Sequence, residues 1–153
     1  MSYYREVGTY YDKDAVDFER RYHLNPALQR IRQSFREHVK LRTSGTTLEV
    51  GVGPGFDLIH FAEQFPDREV YGIDISAEMV RLTDEKISAK KLPNARVAQG
   101  SVEDLVDIFP GVQFDTIYVF FGALNTVDDL EHAFDCLRNV LAPEGTMILT
   151  FVN

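Results

Sequence analysis

A single cysteine, Cys136, is all that the 153 residues contain. One thiol can neither close an internal disulfide nor build a cysteine-cluster metal site, and its neighbours Ala133, Phe134 and Leu137 suit a buried, inert thiol rather than a nucleophile. No apolar run reaches the roughly 18 residues of a membrane span. Residues 2–21 are polar and acidic rather than basic and then apolar, unlike a signal peptide, so a cytoplasmic location is expected. Basic residues are also scarce: 16 Lys and Arg stand against 24 Asp and Glu, a net charge of −8. That balance argues against nucleic acid as a partner, because phosphate binding needs clustered cations. The one basic cluster, Arg30, Arg32, Arg36, Lys40 and Arg42, falls at helical spacing and reads as a solvated face. There is no internal repeat or low-complexity tract. No acid–base pair stands out either: Asp128 and Asp129 read as a helix opening, and His23, His60 and His132 lack a fixed partner.

What is present suits one soluble domain, since a chain of this length can bury roughly 68–70% of its unfolded surface. Residues 1–24 carry five tyrosines and few aliphatics and read as a loose N-terminal arm with a short helix over 14–22, ahead of a core domain at 25–153. Asn25-Pro26 is an N-cap followed by proline at the first helical position. The stripe Leu28, Ile31, Phe35 and Val39 then predicts a packing helix. Strand-like runs follow at 47–50, 70–75, 95–99, 114–121 and 146–152. Between them lie helical patterns, one from Phe56 stopped by Pro66, one capped by Ser76, and a long amphipathic one that includes Leu130, Ala133, Leu137 and Leu141. Strands apolar on both faces and alternating with helices predict an α/β fold on a mainly parallel sheet covered on each side.

The stretch at 47–57, Thr-Leu-Glu-Val-Gly-Val-Gly-Pro-Gly-Phe-Asp, is a strand, a glycine turn and a helix start. Glycines serve where a backbone needs positive φ or must approach a ligand closely. The helix N-terminus behind them can receive a polar or anionic group. Asp74 ends the next strand about 20 residues on, placed to accept ribose hydroxyls. A dinucleotide fingerprint G-x-G-x-x-G would put its third glycine where Phe56 stands. Glu49-x-Gly51-x-Gly53-x-Gly55 with a following Asp instead resembles the first motif of the Rossmann-like S-adenosylmethionine-dependent methyltransferases, of the small-molecule type.

The resemblance covers residues 11–153, and Phe121-Gly-Ala-Leu-Asn125 and Leu141-Ala-Pro-Glu-Gly145 match loops typical of the family. It implies a Rossmann-like α/β three-layer sandwich on a mainly parallel sheet of order 3-2-1-4-5. It also implies that the tyrosine-bearing N-terminal segment folds over cofactor and substrate, the alternative being aromatics that only pack on the domain surface. It implies that Glu49 orients the glycine turn and the methionine ammonium, and that Gly51, Gly53 and Gly55 lie against the methionine part. It also implies that Asp74 accepts the ribose hydroxyls. Ile75 and Met79 are either an adenine wall or core. Gly100, Ser101, Val102 and Glu103 would reach the adenine edge, although Glu103 and Asp104 also suit a solvated helix start, and Phe120 would flank the methionine part. Many relatives carry an acid at the place of Ser101. The amino-methylation signature Asn-Pro-Pro-Tyr of nucleic-acid enzymes is absent, and no catalytic residue or metal is assigned. Family domains continue past the fifth strand with a helix and two further strands, so this chain is expected to be a shortened form or one piece of a larger enzyme. Its fifth-strand edge is then expected to recruit a second copy or a partner chain. Three functions follow: methyl transfer to a small molecule, a cofactor-binding module without catalysis, and, more distantly, NAD-dependent oxidoreduction.

Overall fold

The computed structural model describes residues 2–42 and 44–152. In chain order the elements are α1 (Ser2–His23), α2 (Pro26–Arg42), β1 (Thr47–Val50), α3 (Phe56–Gln64), β2 (Val70–Asp74), α4 (Ala77–Lys90), β3 (Ala95–Gln99), α5 (Leu105–Ile108), β4 (Phe114–Val119), α6 (Leu130–Val140) and β5 (Leu141–Leu149). Single 3-10 turns at Val102–Asp104 and Ala123–Thr126 precede α5 and α6. The strands form one parallel sheet in the order β3-β2-β1-β4-β5, the Rossmann-like topology expected.

The period of two along each strand sends alternate side chains to opposite faces. On one face Leu48, Val50, Ile73, Ile117 and Val119 pack with Leu105 of α5, Leu124 of the 3-10 turn before α6, and Leu137 and Val140 of α6. On the other, Val70, Tyr118 and Phe120 pack with Val39, Leu58, Phe61 and Ile87 from α2, α3 and α4. Both faces are covered, as a parallel sheet requires. Ser76 caps α4 by accepting the Met79 N–H at 3.1 Å, and Asp129 caps α6 by accepting the His132 N–H at 3.0 Å.

The structure departs from the sequence reading at five places. The N-terminal segment is no loose arm but a 22-residue helix. Tyr4, Val7, Tyr11, Ala15, Phe18 and Tyr22 recur every three or four residues and form its inward face. Gly8 lets that helix lie on the loop after β2, since a Cβ there would meet the Ile75 carbonyl oxygen at 2.9 Å.

The apolar stripe of α2 is rotated. Ile31 is exposed, and Arg32, with Arg36 beside it, turns inward toward Asp57, a carboxylate with no exposure. Of the expected solvated basic face, Arg30, Lys40 and Arg42 are exposed. Leu141 leaves the helix pattern and begins β5 opposite Phe114, with a bulge before Thr146 rejoins Thr116. Helix α6 is consequently 11 residues long and shorter than α1. β5 is half-buried rather than covered on both faces, because it is an edge that pairs only with β4 among the described residues. Cys136 is likewise only partly buried, with its Sγ 3.7 Å from His132 Nε2 and its thiol pushed up by burial.

Candidate functional site

Right-handed crossovers leave a crevice at the carboxyl ends of β1, β2 and β4, where the strand order reverses. A cavity of about 190 Å³ occupies it. Gly51, Gly53, Asp74, Ile75, Met79, Gly100, Ser101, Val102 and Phe120 all line it, so four separate loops marked in the sequence meet in one place. Three other marked residues lie elsewhere. Glu49 lines a second cavity that adjoins the first along the glycine turn. Gly55 caps α3 with φ +84°, and a Cβ there would meet Thr83 Oγ1 at 2.8 Å, so its role is to pack the turn on α4. Glu103 is not among the lining residues, and its carboxylate accepts the hydroxyl of Tyr4, which is, at 2.8 Å.

Asp74 is 9% exposed, and two backbone amides aim its carboxylate. Gly53 N–H donates to one oxygen at 2.8 Å and Ser76 N–H to the other at 2.9 Å. Burial raises its pKa, against the lowering by those amides. Each oxygen keeps lone-pair capacity for a hydroxyl. Gly53 itself has φ +53° and nothing within 4 Å of where a Cβ would stand. The turn therefore exposes bare backbone to open space directly beside the carboxylate.

The Ser101 hydroxyl is more committed than expected. It donates to Asp104 at 2.9 Å and accepts Glu103 N–H at 3.2 Å in a capping box, leaving one lone pair free. Glu49, 2% exposed in the middle of β1, accepts the Tyr118 hydroxyl at 2.9 Å. Burial pushes its pKa to about 8 despite Tyr118, Arg32 and Arg36.

The roof comes from α1. Tyr4, Tyr11 and Phe18, seven residues apart, project onto the cavity. That two-turn repeat was the signal for a covering helix. Burial followed by the Glu103 hydrogen bond pushes the Tyr4 phenol to about 12. The remaining wall, Phe121, Ala123, Thr126 and Val127, lies after β4. Phe121 has φ +53°, an uncommon conformation for a bulky residue, and its ring covers the Arg32 guanidinium at 4.6 Å. Among the described residues no group of three or more His, Cys, Asp or Glu could hold a metal ion, and no helix is long and apolar enough to cross a membrane.

The class these features define is a Rossmann-like α/β domain with a ligand crevice at the switch point of its sheet. Residues 47–145 match the family model described as Methyltransferase domain, and the chain belongs to that family. The demethylmenaquinone methyltransferase of Geobacillus kaustophilus is 27% identical over 95% of this chain and 59% of its own length. Among solved structures, the YcgJ protein from Bacillus subtilis is 28% identical, with TM-score 0.63, over 77% of this chain and 50% of that one. PKMT2 from Rickettsia typhi, solved in complex with AdoHcy, is 26% identical, with TM-score 0.59, over 69% of this chain and 20% of that one. The chain thus spans 59% or less of the length of these relatives.

Proposed function

We propose that the chain binds S-adenosylmethionine in this crevice and supports transfer of its methyl group to a small-molecule acceptor. The observation that carries the proposal is the Asp74 carboxylate, held by two amides and set beside the bare backbone of Gly53. A ribose diol needs two acceptors in one plane, and Asp74 supplies them. Ile75, Met79 and Val102 offer apolar walls to a flat base, and Gly100 and Ser101 stand at its edge. The glycine turn and Phe120 flank the continuation toward Glu49. Membership of the methyltransferase family supports the same reading.

When bound, the cofactor supplies a sulfonium whose methyl group is already electrophilic. The protein's part is to hold an acceptor in line and exclude water. The titratable groups lining the first cavity are Asp74, Tyr4 and Tyr11. Asp74 is assigned to binding and Tyr4 is committed to Glu103. No residue is assigned as a base, and positioning is the chemistry proposed. A small acceptor rather than nucleic acid fits the net charge of −8 and the inward turn of Arg32 and Arg36. A cytoplasmic location belongs to the same proposal.

Calorimetry with S-adenosylmethionine, S-adenosylhomocysteine and NAD tests it. The two sulfur nucleosides are expected to bind and NAD is not. NAD binding alone would replace this reading with a dehydrogenase. Tight binding without methyl transfer to any acceptor would reduce the domain to a cofactor-binding module.

A further inference from the structure

The loop after β4 has two sides, and the ligand cavity meets only one of them. Phe121 has φ +53°, costly for a bulky residue, and Gly122 follows with φ +69°. A turn of this kind persists where the contacts around it over-determine it. Its inner side supplies Phe121, Ala123, Thr126 and Val127 to the first cavity. Ala123 lies so close on the glycine turn that a Cβ at Gly51 would stand 2.5 Å from its own Cβ. A shift of this loop therefore moves a wall of the site.

The outer side is held by the residues past β5. Thr150 N–H donates to the Val119 carbonyl at 3.0 Å, and its hydroxyl donates to the same carbonyl at 2.9 Å while accepting Gly122 N–H at 3.3 Å. Asn125 then pairs with the backbone of Val152 in both directions. Its Nδ2 donates to the Val152 carbonyl at 2.9 Å, and its Oδ1 accepts the Val152 N–H at 3.1 Å. A side-chain amide presents a donor and an acceptor side by side, so Asn125 does for residue 152 what a neighbouring strand would. Gly122 makes room for this pairing, since a Cβ there would meet Asn125 Oδ1 at 2.5 Å and the Val152 nitrogen at 3.2 Å. Asn125, Thr150 and Val152 do not themselves line the cavity.

We infer that Asn125 is a positioning residue that couples residues 150–152 to the ligand site: its two-way pairing with Val152 fixes the wall after β4, and losing that pairing loosens the hold on the ligand. The inference rests on the proposed function for the identity of the ligand. Coupling between two sites is reciprocal, so a ligand that presses on this wall also tightens the pairing at Val152. The bland competitor is that Leu124, 2% exposed in the core, pins the loop by itself, and that Asn125 only ties down the residues after β5.

Calorimetry with S-adenosylhomocysteine and hydrogen exchange with and without it separate the two, on wild type, Asn125→Ala, Val152→Pro and the double variant. Val152→Pro removes the N–H that Asn125 accepts and leaves the loop sequence intact. In the wild type the ligand is expected to slow exchange at the Thr150 and Val152 amides, although neither residue lines the cavity. Each single variant should bind roughly 2- to 12-fold more weakly, the range for one hydrogen bond, and should exchange faster over 122–127 without ligand. The double variant should lose no more than either single one, because both break the same pairing. Asn125→Asp, which keeps the acceptor and loses the donor, should fall between wild type and Asn125→Ala. Wild-type affinity in a folded Asn125→Ala protein, losses that add in the double variant, or Thr150 and Val152 amides indifferent to ligand would each overturn the coupling. If the wild type binds no S-adenosylhomocysteine while Asn125→Ala still quickens exchange over 122–127, the nucleoside reading fails and the pairing keeps its hold on the wall. If that exchange is unchanged as well, both fail.

Discussion

Glu49 shows what a buried carboxylate does when its partners are weak. Its oxygen receives one phenol at 2.9 Å, and desolvation lifts its pKa from the ordinary 4.5 to about 8. Between these values the folded protein holds a proton that the unfolded chain has released. The contribution of Glu49 is therefore intact below about pH 4.5 and lost as pH rises through about 8. Glu49→Gln, which stays neutral and keeps an acceptor for Tyr118, should flatten that part of the profile. Denaturant melts of both proteins at several pH values check this, and an identical decline in each would show that Glu49 does not titrate as described. The strand position of Glu49 was legible from the glycines that follow it. Its distance from the first cavity was not, because a period of two assigns a face and not a depth. Arg32 was misread for a related reason: helical spacing marks it as surface, and only the unexposed Asp57 on another element draws it inward.

Helix α1 is the element that changes most between sequence and structure. Its inward face is largely aromatic, so counting aliphatics hides an amphipathic pattern that the spacing of Tyr4, Tyr11 and Phe18 carries. It is tied down by Asp12, whose carboxylate accepts Ser76 Oγ at 2.6 Å and Glu78 N–H at 3.0 Å, so that one helix caps another. Losing a cap costs about 1 kcal/mol. Asp12→Ala should therefore speed hydrogen exchange across α1 and weaken nucleoside binding severalfold, since the roof over the cavity would open more often. Exchange in α1 unchanged from wild type would show that the aromatic face alone holds it. Leu141 carries the opposite lesson. Its spacing fits α6, yet pairing with Phe114 claims it for β5, because a ladder partner is a tertiary fact.

At the scale of the molecule, strand order and crevice were readable because buried parallel strands and glycine punctuation are both local signals. β5 pairs on one side only among the described residues, and Phe151 and Val152 beyond it are exposed. Unpaired strand backbone invites strand addition, so a dimer through β5 is expected in sedimentation at micromolar concentration, with amides over 146–149 slowed on association. A monomer at every concentration would contradict it. Calorimetry of S-adenosylhomocysteine against wild type and Asp74→Ala tests most directly whether Asp74 and the glycine turn hold a sulfur nucleoside. Removing a carboxylate that accepts two hydroxyls is predicted to weaken binding by roughly 10- to 150-fold, about 1.5–3 kcal/mol, with the circular dichroism spectrum unchanged. Equal affinity in a folded Asp74→Ala protein would contradict the account.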